Sequence, residues 1–135
     1  MREVTVSRFV SARPAAVHRI LSPEAVVAAE GTFTVAGVEE TDDGTVVTAT
    51  GPGMAIPFRF EPREDGLWYT AEGDVGPFDR METRVTVAPE DEGSRITIRS
   101  TVSLNLPLPF ANRIAAWKRR GELQRAIETL AAAFD

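Results

Sequence analysis

Residue types that commonly carry reactions are scarce in this 135-residue chain. It has no cysteine, which removes thiolate nucleophiles, disulfides and thiolate metal sites. His18 is its one histidine, too little for a histidine metal cluster or a serine–histidine triad. No metal or cofactor is expected. No spacing forces two carboxylates together, so acid–base catalysis has no specific support. His18, between Val17 and Arg19, reads as a surface or structural residue. Gly51-Pro52-Gly53 and Gly73-Asp74-Val75-Gly76 read as turns or bulges, because no helix start follows either to bind phosphate. Tyr69 is the best interior polar candidate. Its hydroxyl could orient a ligand, although a buried tyrosine more often satisfies its hydroxyl locally.

Most candidates are apolar, and their alternation says which face they share. Met54, Ile56, Phe58 and Phe60 alternate with Ala55, Pro57, Arg59 and Glu61, a strand period. Phe33, Val35, Tyr69, Met81, Val85, Ile96, Ile98, Val102 and Leu104 fall in the same inward class. Any one of them is more readily plain core than ligand contact. Arg59, Glu61, Glu72, Glu82, Arg84 and Arg99 fall on the opposite face and read as solvated cross-strand charges.

The elements that position these residues follow from local signals. Glu3 to Val10 alternates as a strand. Pro14 opens a short helix to Leu21, and Ser22-Pro23 caps a second one ending at Gly31. Strands are expected over Thr32–Thr41, Thr45–Thr50, Met54–Glu61, Leu67–Asp74, Arg80–Ala88 and Ser94–Leu104. Asp42-Asp43-Gly44, Asp65-Gly66 and Pro89–Gly93 are the turn signals. Pro57 donates no ladder hydrogen bond, so its strand is expected at an edge or bulged. A long helix closes the chain from about Asn112 to Phe134, roughly 33 Å at 1.5 Å per residue. Ala116, Leu123, Ile127, Leu130 and Phe134 share one helix face, and Phe110, Ile114 and Trp117 lie roughly 140° away at ~100° per residue. Gly121 sits after this switch, where the helix is expected to bend or restart.

The chain has 20 acidic against 15 basic residues, a net charge of −5, with 43% hydrophobic and 26% charged content. These are values of an ordinary globular domain, expected as one unit over residues 1–135. The acidic balance disfavours nucleic acid as a partner. No run approaches the ~20 apolar residues of a membrane span, the first residues lack a signal-peptide core, and a cytoplasmic location is expected.

The order of one strand, two short helices, about six strands and one long helix resembles the helix-grip fold of the START-like superfamily, which includes polyketide cyclases and lipid-transfer domains. The resemblance is carried by Val4-Thr5-Val6-Ser7-Arg8-Phe9-Val10-Ser11-Ala12-Arg13-Pro14-Ala15-Ala16-Val17 and by the strand–turn–strand from Val85 to Ile98. It implies an α+β fold, a curved antiparallel sheet of about seven strands wrapped around the C-terminal helix. It also implies a deep apolar cavity for a hydrophobic or amphipathic small molecule. The residues expected to line it are Phe33, Val35, Met54, Ile56, Phe58, Phe60, Tyr69, Met81, Leu104, Phe110 and Trp117. Fold alone does not separate carrier from enzyme. The alternatives are a cyclase- or dehydrase-type enzyme using Tyr69 with an arginine, and a module docking on a membrane surface or protein partner through Phe110 to Arg120. Phe110, Ile114 and Trp117 are read first as packed under loops, and otherwise as a gate or docking patch beside Lys118-Arg119-Arg120. A buried, paired, inward charge would favour the enzyme, and an exposed Trp117 patch with little cavity would favour docking.

Overall fold

In the computed structural model, residues 2–71, 78–104 and 110–134 are described, without the side chains of residues 78–80 and 104. The expected features at 72–77 and at Leu106–Pro109, and the side chain of Leu104, lie outside the described residues. The order is β1 (Arg2–Val10), α1 (Pro14–Ile20), α2 (Pro23–Glu30), β2 (Thr34–Thr41), β3 (Gly44–Gly51), β4 (Met54–Arg63), β5 (Gly66–Ala71), β6 (Phe78–Glu90), β7 (Gly93–Leu104) and α3 (Ala111–Ala132). The strands form one antiparallel sheet in the order β1-β7-β6-β5-β4-β3-β2. One face is covered by α3, which lies against β1, β7 and α2. This is the helix-grip α+β architecture.

The core is the alternating inward set of the strands. Val4, Val6, Val47, Ile56, Phe58, Phe60, Tyr69, Val85, Ile96, Ile98 and Val102 are buried, and Leu123, Ile127 and Leu130 of α3 meet them. Burying each such side chain contributes about 1.5–3 kcal/mol, which is what anchors a helix of weak local preference. Three local expectations are corrected. β4 is interior, between β3 and β5, and Pro57 pairs with Thr48 without a bulge. The β4–β5 register starts at Phe58↔Ala71, one residue beyond Pro57, so the missing N–H falls at the end of that pairing. The hairpin after β6 is tighter than the five-residue break expected. Pro89 and Glu90 stay in the strand, and Asp91 and Glu92 turn with φ of 45° and 67°, the left-handed pair that a two-residue hairpin needs. Finally, α3 runs through Gly121 without restarting. Packing on both sides outweighs the ~1 kcal/mol that a helical glycine costs.

Candidate functional site

The site is a polar cluster in an otherwise apolar interior, and the sheet register builds its floor. Tyr69 pairs with Thr83, and Thr83 pairs with Ser100, so three polar side chains stand in one inward row across β5, β6 and β7. All three are fully buried. Phe60 stacks on the Tyr69 ring at 4.4 Å between centroids, and Phe58 meets it edge-on at 5.7 Å. These contacts fix where the hydroxyl points.

Helix α3 lowers Arg119 onto that row. Its Nε donates to Ser100 Oγ at 3.0 Å, and its Nη2 donates to Tyr69 Oη at 2.7 Å and to Thr83 Oγ1 at 2.8 Å. Thr83 and Ser100 hydroxyls share a further hydrogen bond of 2.9 Å. Helix α2 supplies the counter-charge. Ser22 Oγ accepts from the Ala25 N–H at 3.1 Å to start this helix, and Gly31, with φ of 77°, ends it. That leaves Glu30 at the last helical position with its side chain turned inward. Glu30 Oε1 lies 3.0 Å from Arg119 Nη2 and accepts from the Tyr69 hydroxyl. Glu122, one turn beyond Arg119, accepts from its Nη1 at 3.4 Å and from the Thr32 hydroxyl. Arg125 Nε donates to the Glu30 carbonyl at 3.1 Å and ties α2 to α3.

Arg119 and Glu30 are each 3% exposed. Among the described residues, no buried side-chain nitrogen or oxygen lacks a partner. A cluster satisfied this fully holds one arrangement of helix on sheet, whereas a half-satisfied one would be worse than an apolar core. Burial opposes the Arg119 charge, but Glu30, Tyr69 and Glu122 outweigh it and raise its pKa, so the guanidinium stays charged. Burial pushes the Tyr69 hydroxyl well above its ordinary value; the Arg119 charge opposes this and Glu30 adds to it, so the hydroxyl stays protonated.

Beside the cluster lies a cavity of about 40 Å³. Phe33, Ile56, Phe58, Ala71 and Met81 form its apolar side; Glu30, Thr32, Arg119 and Glu122 form its polar side, and exposed Lys118 stands at its edge. At roughly 10–15 Å³ per water it holds about three waters. Larger surface depressions elsewhere, such as that around Thr41, Val46 and Arg59, are shallow and lack this division of walls.

Of the residues expected to line a cavity, Phe33, Ile56, Phe58 and Met81 do so. Val35 is half-buried against the core, Phe60 is core, and Tyr69 lies behind the polar wall rather than on it. Met54, 39% exposed at the start of β4, does not line this cavity. Phe110, Ile114 and Trp117 are 61%, 62% and 78% exposed, so they are not packed under loops, and none of them lines this cavity. They sit on the α3 face turned away from the sheet, as their angular offset from Leu123 and Ile127 requires. Sequence reasoning missed Glu30, Arg119 and Glu122. Arg119 was grouped with its charged neighbours, although it occupies the apolar stripe, three residues after Ala116 and four before Leu123. Thr83 and Ser100 carried the matching signal as polar residues at inward positions of β6 and β7.

Comparison with known proteins agrees with this architecture. The sequence profile of the family described as polyketide cyclase / dehydrase and lipid transport matches residues 1–135, and the chain belongs to that family. Among solved structures, the XoxI protein of Bacillus cereus is 17% identical, with a TM-score of 0.78 over 99% of this chain and 96% of that one. A START superfamily protein of Mycobacterium smegmatis is 14% identical, with a TM-score of 0.73 over 98% and 96%. The di-domain ARO/CYC protein BexL of the BE-7585A biosynthetic pathway is 16% identical, with a TM-score of 0.75 over 98% of this chain and 46% of BexL. At such identities the likeness concerns the fold. No curated protein matches the chain.

Proposed function

We propose that this protein binds a compact small molecule with an apolar body and one polar end. The observation that carries this reading is the division of the cavity walls, with Phe33, Ile56, Phe58, Ala71 and Met81 facing Glu30, Thr32, Arg119 and Glu122. Binding pockets combine an apolar lining with a few convergent polar groups in this way. The small volume means that a guest larger than a few waters must extend into the mouth or displace a wall. An environment-sensitive fluorophore should bind saturably and be displaced by apolar competitors. A folded protein that shows no saturable binding across such a panel would refute the reading.

An enzyme of the cyclase or dehydrase type is the second reading, and the buried Arg119–Glu30 pair beside the cavity favours it. Against it, the Tyr69 hydroxyl donates to Glu30, accepts from Arg119 and does not line the cavity. A weak contact with an anionic membrane surface is a third reading, favoured by the exposed Trp117 patch beside a small cavity. Exposed Phe110, Ile114 and Trp117 lie beside exposed Arg113, Lys118 and Arg120, a local excess of positive charge on an acidic protein. Arg119 takes no part in this contact, since it is buried. Trp117→Ala should weaken co-sedimentation with phosphatidylserine vesicles, and the residual binding should fall with salt. Unchanged sedimentation would remove the membrane contact.

A further inference from the structure

The polar wall of the cavity bears on which polar end it accepts, and this step rests on the binding reading above. Among the described residues, two carboxyl groups line the cavity, Glu30 and Glu122. Glu30 accepts from the Tyr69 hydroxyl and lies 3.0 Å from Arg119 Nη2. Glu122 accepts from the Thr32 hydroxyl and from Arg119 Nη1. Each carboxyl group accepts from two donors of the protein and keeps further lone pairs. Among the described residues, the buried wall therefore sets two hydrogen-bond-accepting carboxyl groups against one guanidinium.

That guanidinium is already engaged. Its nitrogens face Ser100, Thr83, Tyr69, Glu30 and Glu122, all acceptors of the protein itself. Among the described residues, Lys118 is the other cation on the lining, and it is exposed, where water and salt screen it. An incoming carboxylate would meet two hydrogen-bond-accepting carboxyl groups away from bulk water and a guanidinium with most of its N–H groups already taken up by the protein. A hydroxyl or ammonium would meet acceptors with unused lone pairs. The sequence run Lys118-Arg119-Arg120 suggests a receiver for anions, but its middle residue turns inward and is neutralised there.

We infer that the cavity selects ligands whose polar end donates hydrogen bonds, an alcohol, phenol or amine, and discriminates against a carboxylate on the same apolar body. The test uses three probes with one body, 1-octanol, octylamine and octanoate, titrated into the full chain at neutral pH with protein-observed NMR. Octanol against octanoate is the deciding comparison, because an acidic protein attracts any cation. Octanol should bind about tenfold or more tightly than octanoate, and the gap should persist in ~0.5 M salt, where surface charge is screened. Octanoate binding as tightly as octanol, or a gap that vanishes in salt, overturns the inference and leaves the binding reading intact. If none of the three perturbs residues lining the cavity, the binding reading fails and the inference with it.

Discussion

Arg119→Met is the substitution that weighs the polar cluster. Methionine keeps most of the aliphatic stem, so the change removes the guanidinium more than it removes packing. What remains is severe in this setting. Glu30 and Glu122, with side chains 4% and 11% exposed, lose their shared cation. The hydroxyls of Tyr69, Thr83 and Ser100 lose a donor each. Breaking a buried ion pair from one side costs about 3–5 kcal/mol, because a buried charge is left uncompensated. Domains of this kind have only about 5–15 kcal/mol in total. With a urea m-value of about 2 kcal/mol/M, the unfolding midpoint should fall by about 2 M. The companion variant carries Arg119→Met together with Glu30→Gln. It should be more stable than Arg119→Met alone, since the more deeply buried of the two orphaned partners has been neutralised, and that coupling separates electrostatics from packing. Urea denaturation followed by circular dichroism measures both variants. A loss under about 1 kcal/mol for Arg119→Met, or simple additivity in the double variant, would refute the argument that this cluster is a coupled, buried charge network.

Two further outcomes follow from single residues. Tyr69 is the only tyrosine, so tyrosinate absorbance reports it alone. Its folded pKa is raised above the unfolded value near 10, so this contribution to stability is complete below about pH 10 and is lost as pH rises above it. Native protein at about pH 11 should show no tyrosinate band until it unfolds, and a band growing in with native circular dichroism would contradict the buried hydroxyl. A Cβ at Gly121 would meet only Arg125 Nη1, at 3.8 Å, so Gly121→Ala should stabilise by up to about 1 kcal/mol in urea denaturation, and a loss of stability would mean that the helix needs the glycine there.

Much of the fold was legible because it rests on periodicity. The alternation at Met54–Phe60, the Ser22-Pro23 start and Gly31 stop of α2, and the stripe at Leu123, Ile127 and Leu130 each carry their own physical cause. The edge assignment of β4 failed because Pro57 constrains one hydrogen bond, and the end of a register satisfies that as well as an edge does. The apolar half of the site was also legible, in Phe33, Ile56, Phe58 and Met81. The polar half was not. Glu30, Arg119 and Glu122 come from two helices far apart in sequence, and each looks like a solvated charge in its own neighbourhood. Only the tertiary meeting of α2, α3 and the Tyr69–Thr83–Ser100 row gives each a partner. The readable trace was the pattern of polar residues at core positions on both surfaces, Thr83 and Ser100 on the sheet and Arg119 on the helix.

Binding of a small molecule between the apolar side of the cavity, which holds Met81, and its polar side can be read from methyl-labelled methionine. Met81 lines the cavity and is buried, while Met54 is exposed and lies off the lining. In ¹³C-methyl methionine spectra, adding 1-octanol should shift the Met81 resonance saturably and leave Met54 in position. An unmoved Met81, or equal shifts at both methyls, would contradict the account.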